Sequence, residues 1–351
     1  MSIITIVGAG MMGSAMSYPA TDNGHSVRLV GTPLDREIID HAKATGEHKT
    51  LKRRLPEGIA YYQIEDLEEA LRDADLVIGG VSSFGVDWFR EFVIPKLPDG
   101  VPVLSITKGM WNAGKGELRS YPELYEASTD RPISFNAVGG PCTSYELADR
   151  DHTEVTFCGK NPEELRRFRA LLQTDYYHIS LSTDIRGVEC AVAMKNAYAL
   201  AVSLAIGESY RREGRAFEHY NSQAALFAQS AREMERLLAF CGGHPSNLML
   251  GTGDLYVTVF GGRTRKIGIL LGEGNSFEKA MEELAGITLE SVVIAGRTAR
   301  AVQERVALGT AKAEDFPLLL HVARRITPGG PDGYENQPSI PWDKFTYEFG
   351  L

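Results

Sequence analysis

A glycine-rich turn close to the N-terminus constrains the fold of this chain more than any other stretch. Residues 2–7, SIITIV, are apolar and β-branched, which is typical of a buried strand. Residues 8–13, GAGMMG, follow directly, and a helix-compatible stretch then runs to Gly24 before a second strand over residues 25–30. A G-x-G-x-x-G turn between a strand and a helix, within about 30 residues, is the context that a dinucleotide-binding βαβ unit requires.

Each glycine of this turn has its own expected role. Gly8 allows the tight turn, Gly10 lets the backbone approach a pyrophosphate, and Gly13 permits close packing of helix on strand. The free N–H groups at the start of the helix attract phosphate, so we expect Met11 and Met12 to lie beside the cofactor as well. The turn therefore predicts a nicotinamide dinucleotide as cofactor.

The end of the second strand leaves the choice between NAD and NADP open. NAD enzymes usually carry an acid there for the ribose hydroxyls, but Val30 is followed by Gly-Thr-Pro, and Asp35 comes only later. Thr32 and Arg36 could instead meet a 2′-phosphate. The sequence predicts NAD or NADP and does not decide between them.

The alternation of strands and helices continues to about residue 185. Further strands are predicted over residues 74–81, 101–107, 133–138 and 153–157, with helices over residues 65–73, 86–94 and 162–173. Apolar strands that alternate with helices predict a parallel, doubly wound sheet. We therefore expect an α/β fold with an N-terminal Rossmann-type domain over residues 1–185, whose ligands bind beyond the carboxyl ends of the strands.

Strand signals nearly disappear after residue 185. Helices are predicted over residues 187–206, 216–240, 284–306 and 316–325, which indicates an all-α C-terminal domain over residues 186–325. Residues 326–351 are rich in Pro and Gly with scattered aromatic residues. We expect this tail to be either disordered or wrapped over the surface.

The helix over residues 187–206, GVECAVAMKNAYALAVSLAI, carries Lys195 in the middle of an apolar run. A helix that is apolar all round is buried, and a buried ammonium without a partner is costly. A membrane span is disfavoured by the central lysine and by the lack of a second span. The run by itself leaves two interpretations open, a core helix whose lysine reaches the rim and a desolvated lysine that faces an active-site cleft.

Composition narrows the range of partners and compartments. The 351 residues carry a net charge of −9, which argues against nucleic acid or an anionic membrane as the main partner. The four cysteines form no CxxC pair and the eight histidines are scattered, so no metal site is predicted. No basic or cleavable leader precedes the first strand, and we expect a cytoplasmic protein.

Six segments together resemble the NAD(P)-dependent glycerol-3-phosphate dehydrogenase family, in unbroken order from about residue 3 to residue 325. They are VGAGMMGSAM (7–16), SITKGM (105–110), GGPCTSYELAD (139–149), GVECAVAMKNAYAL (187–200), YNSQAALFAQSAREM (220–234) and GTGDLYVTVFGGRTRK (251–266). The resemblance implies a homodimer that interconverts dihydroxyacetone phosphate and sn-glycerol 3-phosphate, or a closely related phosphorylated ketose and polyol.

The resemblance also implies a role for each matching residue. Lys195 would act as general base in alcohol oxidation and as acid in ketone reduction, held by Asp254. Arg263 would bind the substrate phosphate. The other implied residues are Lys108 for catalysis and substrate, Asn196, Thr258 and Thr264 for substrate, and Phe84, Arg263 and Glu290 beside the cofactor.

Several positions depart from the family pattern and leave the exact substrate open. Ser82, Cys142 and Thr264 replace the usual residues, and residues 46–54, GEHKTLKRR, replace an Asn- and Tyr-containing stretch. Two alternatives remain. One is a β-hydroxyacid-type dehydrogenase, which acts on carboxylates, and the other is a dinucleotide-binding sensor that has lost catalysis.

Overall fold

A computed structural model describes residues 1–215, 217–329, 336 and 338–348. The chain divides into two compact units. The first unit comprises Met1–Lys108 and Ser120–Glu189, and the second comprises Gly109–Arg119 and Cys190–Leu351.

Eight strands of the described chain form one sheet, and two short strands form a second. The strands are β1 (Ile3–Val7), β2 (Ser26–Val30), β3 (Ala60–Tyr62), β4 (Leu76–Gly79), β5 (Val103–Ser105), β6 (Met110–Asn112), β7 (Leu118–Ser120), β8 (Phe135–Gly139), β9 (Thr153–Cys158) and β10 (Tyr177–Ser182). The large sheet has the order β10-β9-β8-β5-β4-β1-β2-β3, and β6 pairs with β7.

The sheet is parallel from β3 through β8. In that part the order reverses beside β1, which pairs with β2 on one side and with β4 on the other. This reversal is the switch point at which doubly wound folds bind dinucleotides. β9 then runs antiparallel to β8, while β10 is parallel to β9. The predicted doubly wound sheet is confirmed, and its antiparallel step is a common feature of large α/β sheets.

The helices alternate with the strands as far as β10, and beyond that strand helix follows helix. They are α1 (Met11–Ala15), α2 (Ser17–Asp22), α3 (Arg36–Thr45), α4 (Leu67–Leu71), α5 (Val86–Trp88), α6 (Tyr121–Glu126), α7 (Ser144–Ala148), α8 (Pro162–Leu172), α9 (Ile185–Glu213), α10 (Tyr220–Cys241), α11 (Asn247–Val259), α12 (Gly262–Gly272), α13 (Phe277–Glu283), α14 (Glu290–Ala307) and α15 (Pro317–Arg325).

The core of the first unit lies around the central strands, because apolar side chains of β1 and its neighbours are buried on both faces. Ile4, Ile6, Leu29 and Ile78 are wholly inaccessible to solvent. Fully burying such a side chain contributes about 1.5–3 kcal/mol. The near-continuous apolar runs read in the sequence therefore reflect strands that are covered on both faces.

The second unit is built around α9, which has 29 residues. In the described chain this helix alone is long and apolar enough to cross a membrane, yet 89% of its most apolar window is buried inside the protein. Between residues 187 and 207 every residue is buried except Lys195 and Asn196. The helix is thus the core helix of the second unit, and its two adjacent polar residues Lys195 and Asn196 are partly exposed.

Some predicted bounds were wrong. The stretch 86–94 is α5 followed by a π-helical turn, Phe89–Val93, rather than one α-helix. The helix expected to start at residue 284 starts at Glu290. β10 was missed because its side chains alternate between buried and exposed at the edge of the sheet, so it lacks the apolar run of a central strand.

The described part of the C-terminal tail packs on the second unit. Ile340 is buried among the residues of the helical core, and Phe345 packs against it. The Tyr347 hydroxyl donates to Gln229 Oε1 at 2.9 Å, and its ring lies under the Arg232 guanidinium. Of the two expected alternatives for the tail, disorder or packing over the surface, residues 338–348 show the second. Residues 330–335, 337 and 349–351 lie outside the described residues.

Candidate active site

The glycine turn after β1 has the geometry of a dinucleotide cradle. Gly8 has φ +117°, and a Cβ there would lie 2.6 Å from the Gly80 carbonyl carbon. A Cβ on Gly13 would overlap the Gly8 carbonyl oxygen, whereas one on Gly10 would meet nothing within 4 Å. Two glycines are therefore needed for the turn itself, and the third leaves open space where a pyrophosphate can approach the backbone. Met11 and Met12 continue the turn and are half-buried.

Asp35 organises the residues between β2 and α3. Its carboxylate accepts hydrogen bonds from the Ala9 N–H at 3.1 Å and from both the N–H and the hydroxyl of Thr32, at 2.9 and 2.8 Å. Arg36, next in the chain, forms an exposed ion pair with Glu65. An exposed pair of this kind contributes about 0–1 kcal/mol, so an incoming phosphate could displace Glu65 at little cost.

The carboxyl ends of β4 and β5 bring further predicted residues to one edge of the first unit. The Thr107 hydroxyl donates to the Val81 carbonyl at 2.6 Å and so joins the two strand ends. Lys108 donates from Nζ to the Gly140 carbonyl at 2.6 Å. Phe84 leaves 59% of its surface exposed. An exposed phenylalanine above strand ends suits a ligand that covers it.

Glu189 was missed by the sequence interpretation. Both of its carboxyl oxygens are buried and have no hydrogen-bond partner among the described residues. Burial raises the pKa of this carboxyl well above its usual range, and the positive charge of Lys108 partly opposes that rise. Burial therefore favours the neutral form of the Glu189 carboxyl. A glutamate in an apolar helical run is the only sequence signal that could have indicated it.

In the second unit Lys195 forms an ion pair with Asp254. The Lys195 ammonium donates from Nζ to Oδ1 of Asp254. The Lys195 side chain is 13% exposed and the Asp254 side chain is fully buried. A buried carboxylate requires such a partner, while the Lys195 side chain keeps a small exposed fraction. Thr258 follows one turn later and donates from its hydroxyl to the Asp254 carbonyl at 2.7 Å.

A glycine contact explains why Lys195 and Asp254 meet. A Cβ on Gly251 would lie 2.9 Å from the Ala191 carbonyl oxygen, so only glycine allows α11 to approach α9 this closely. Lys195 lies one turn beyond Ala191, and Asp254 lies one turn beyond Gly251. The crossing point of the two helices therefore sets the two charged side chains opposite each other.

Arg263 and Thr264 lie in the first turn of α12, which also packs closely on α9. A Cβ on Gly268 of α12 would lie 2.7 Å from the Leu200 carbonyl oxygen. Arg263 is exposed, and its guanidinium makes no hydrogen bond or ion pair with any residue that the structure describes. Arg265 behaves differently, since it donates to the Val259 carbonyl and to Glu218. The turn is thus held by one arginine and leaves the other available to an anion.

The remaining predicted site residues occupy separate positions. Asn196 is half-buried, and its side-chain amide makes no hydrogen bond within the described residues. Glu290 is the first residue of α14 and is also half-buried. Within the described residues no group of three His, Cys, Asp or Glu side chains could hold a metal ion, and none of the four cysteines forms a disulfide. The second unit thus brings together Lys195, Asp254 and Thr258.

Comparison with known proteins matches both halves of the chain to one family. The family model of the NAD-dependent glycerol-3-phosphate dehydrogenase N-terminus matches residues 3–165, and that of the C-terminus matches residues 184–329. This chain belongs to the NAD-dependent glycerol-3-phosphate dehydrogenase family. It is therefore an NAD(P)-dependent oxidoreductase that acts on a CH–OH group.

Individual relatives agree with this assignment. The chain is 34% identical over 284 residues to the NADP(+)-dependent glycerol-3-phosphate dehydrogenase of Archaeoglobus fulgidus, which covers 80% of this chain and 83% of that relative. The fold is shared with glycerol-3-phosphate dehydrogenase of Plasmodium falciparum, at a TM-score of 0.80, 20% identity and coverage of 100% and 96% of the two chains. It is also shared with the Coxiella burnetii enzyme, at a TM-score of 0.78, 23% identity and coverage of 98% and 97%.

Proposed function

We propose that this protein interconverts dihydroxyacetone phosphate and sn-glycerol 3-phosphate with NAD(P)H, and that Lys195 moves the proton. The family assignment supports the reaction class. The observation that carries the proposal is the ion pair of a slightly exposed Lys195 with a fully buried Asp254. This pair presents a proton donor on a stretch of helix, residues 187–207, in which Asn196 is the only other residue that is not buried.

The first unit has the features that dinucleotide binding needs. We propose that the turn formed by Gly8, Gly10 and Gly13 cradles the pyrophosphate, with Met11 and Met12 beside it. When bound, the nicotinamide supplies or accepts a hydride. The remaining cofactor contacts are assigned to Thr32, Arg36, Phe84, Arg263 and Glu290. Both NAD and NADP are compatible with these residues.

Lys195 is proposed to act at the carbinol oxygen. In the reductive direction its ammonium donates a proton to the carbonyl oxygen, and in the oxidative direction its amine removes the hydroxyl proton. Asp254 orients the amine and stabilises the ammonium form. Because Asp254 is fully buried, its negative charge acts through a medium of low polarity and is felt strongly by Lys195. Lys108 is assigned to the same reaction as the second lysine.

Arg263 is proposed to hold the substrate phosphate. Its exposed guanidinium has no internal partner among the described residues, and a planar guanidinium binds phosphate through two parallel hydrogen bonds. Thr264, Thr258 and Asn196 supply hydroxyl and amide groups for the rest of the substrate. Binding energy from the phosphate can then orient the reacting carbon.

The proposal also includes the roles of the two domains, the cellular location and the oligomeric state. The cofactor domain corresponds to residues 1–185 and the catalytic domain to residues 186–325. We assign the protein to the cytoplasm, which agrees with four cysteines that form no disulfide. We assign a homodimer by analogy with the family, and light scattering at micromolar concentration would measure it.

The test compares substrates in parallel with both cofactors. NADH and NADPH oxidation would be followed with dihydroxyacetone phosphate, with other phosphoketoses and with 3-oxoacids. We expect turnover with dihydroxyacetone phosphate. Turnover with unphosphorylated acids alone would refute the proposal in favour of a β-hydroxyacid dehydrogenase, and cofactor binding without turnover would favour a sensor.

Two substitutions test the assigned roles. Lys195→Met keeps the length of the side chain and removes the proton donor, so we expect kcat to fall by about 10²–10⁴-fold. Lys312→Met is the control, because Lys312 is 75% exposed. Arg263→Gln should raise the KM of the phosphorylated substrate by about 10–100-fold, because the phosphate loses its guanidinium partner.

A further inference from the structure

His48 lies in the segment that departs from the family pattern, and it is buried completely. Its Nδ1 accepts hydrogen bonds from the Leu51 N–H at 2.9 Å and from the Thr50 N–H at 3.2 Å. Its Nε2 lies 2.8 Å from the Ala9 carbonyl oxygen. Because backbone N–H groups can only donate, Nδ1 must be the acceptor, and the ring proton must sit on Nε2. His48 therefore donates to the Ala9 carbonyl.

This bond orients one peptide group of the dinucleotide turn. In a trans peptide the C=O of one residue and the N–H of the next point in opposite directions. With the Ala9 carbonyl held by His48 and, at 3.3 Å, by the Ser14 hydroxyl, the N–H of Gly10 must point the other way. The Gly10 N–H makes no hydrogen bond within the described residues, and the space beside Gly10 is open.

The neighbouring peptide is held as well. The N–H of Ala9 donates to Asp35, at 3.1 Å. The carbonyl of Gly8, on the same peptide group, consequently faces Gly13 and Gly80, where it leaves no room for a side chain. Asp35 and His48 thus grip the two sides of Ala9, and each one orients a different peptide group.

We propose that His48 is a positioning residue for cofactor binding. It holds the Ala9–Gly10 peptide so that the Gly10 N–H faces the pyrophosphate. The inference rests on the proposed use of this turn for NAD(P). A pre-oriented N–H binds its ligand without an entropic cost of ordering. His48 takes no part in proton transfer, because both ring nitrogens are already engaged.

The charge state of His48 agrees with this role. Burial lowers the pKa of the ring, which the hydrogen bond to Ala9 and the negative charge of Asp35 partly oppose, while His41 lowers it further. The neutral ring can accept at Nδ1 and donate at Nε2 at the same time.

Two isosteric variants separate the donor from the acceptor. In His48→Gln the amide nitrogen can reach the position of Nε2 and keep the bond to Ala9. In His48→Asn the amide oxygen replaces Nδ1, so the bonds from Thr50 and Leu51 remain and the bond to Ala9 is lost. If His48 only held the 46–55 turn through its Nδ1, the Gln variant would lose that contact and would bind the cofactor more weakly than the Asn variant.

The Kd values of NADH and NADPH would be measured by fluorescence, with KM and kcat from steady-state rates. We expect His48→Asn to weaken the cofactor by about tenfold at unchanged kcat, and His48→Gln to stay within about twofold of wild type. The loss should appear equally with ADP-ribose, which contains the pyrophosphate, and be absent with AMP, which lacks it. Equal Kd values for His48→Asn and wild type, or equal losses in both variants, would overturn the inference.

Two further results keep the inference testable. A wild-type protein that binds neither NADH nor NADPH would refute the proposed function itself, whereas a variant effect on an intact site addresses His48 alone. If His48→Asn does not fold, a long-range ¹H–¹⁵N spectrum of the wild type decides. The inference requires the neutral Nε2–H tautomer of His48, and a charged ring or the Nδ1–H tautomer would exclude it.

Discussion

Glu233 is a buried carboxyl that should make the stability of this protein depend on pH. It accepts hydrogen bonds from the Leu318 N–H at 2.7 Å and the Leu319 N–H at 2.9 Å, in the first turn of α15. It also accepts from Gln229 at 2.8 Å and from the Tyr198 hydroxyl at 3.1 Å. Glu233 thus ties α10 to α15 and to α9. Breaking this set of contacts should destabilise the second unit.

Burial raises the pKa of Glu233 from 4.5 to about 7, even though all four hydrogen bonds oppose that rise. The native protein therefore keeps the proton to a higher pH than the unfolded chain does. The resulting contribution to stability is complete below pH 4.5 and is lost as the pH rises through 7. Between pH 5 and pH 8 the loss should amount to about 2.5 kcal/mol in the free energy of unfolding.

The substitution Glu233→Gln removes the titration and keeps a neutral side chain of the same shape. Chemical denaturation at pH 5 and pH 8 would give the free energy of unfolding of wild type and variant, after a check that unfolding is two-state. We expect the free energy of unfolding of the wild type, relative to that of the variant, to fall by about 2–3 kcal/mol from pH 5 to pH 8. Other titrating groups are present in both proteins and cancel in this comparison.

Glu235→Gln provides a matched control, because Glu235 is exposed on the same helix. It should leave the pH dependence as it is in wild type. The reasoning fails if Glu233→Gln shows the same pH dependence as wild type. It also fails if the wild type becomes more stable relative to Glu233→Gln as the pH rises, since that sign would require a lowered pKa.

Three further predictions follow from individual contacts. Asp254→Asn should lower kcat by about 10²-fold or more at an unchanged Kd for the cofactor, because Lys195 loses its carboxylate; an unchanged kcat would remove Asp254 from the mechanism. Burial lowers the pKa of His321 to about 3, so between pH 7 and pH 5 the unfolded chain binds a proton there and the native state does not. His321→Leu should therefore lessen the loss of stability over this range by about 2 kcal/mol. Chemical denaturation that shows the same acid dependence in variant and wild type would contradict this. Tyr347→Phe should lower the free energy of unfolding by about 0.5–1.5 kcal/mol, because the hydrogen bond to Gln229 is lost. Tyr220→Phe is the control, since Tyr220 is exposed, and it should have no effect. Equal stabilities of Tyr347→Phe and wild type would mean that the tail is not docked in solution.

Much of the fold could be predicted because it depends on local signals. A buried parallel strand is apolar along its whole length, as in β1, and a core helix is apolar on all sides, as in α9. Errors arose where the local pattern is ambiguous. The side chains of β10 alternate between buried and exposed at the edge of the sheet. Residues 86–94 change from an α-helical to a π-helical turn, which no periodicity indicates.

The candidate site shows where sequence reasoning stops. Lys195 attracts attention by itself, because a charge in an apolar run needs an explanation. Its partner is a different matter, since 59 residues separate Lys195 from Asp254. Only a resemblance to a family suggested that partner. Glu189 lies in the same apolar run as Lys195 and was overlooked, whereas His48 was not indicated at all, because a single polar residue in a loop has no pattern.

The sequence by itself determined the βαβ unit at the N-terminus, the change from an α/β to a helical domain near residue 185 and the burial of the helix that carries Lys195. These follow from hydrophobic periodicity and from the backbone freedom of glycine, which act over a few residues. The tertiary structure decided which groups meet. The contact of Gly251 with Ala191 brings Asp254 to Lys195, Tyr347 fastens the tail to α10, and His48 reaches back to Ala9. Such contacts join distant parts of the chain, and they arise only once the helices and strands have packed.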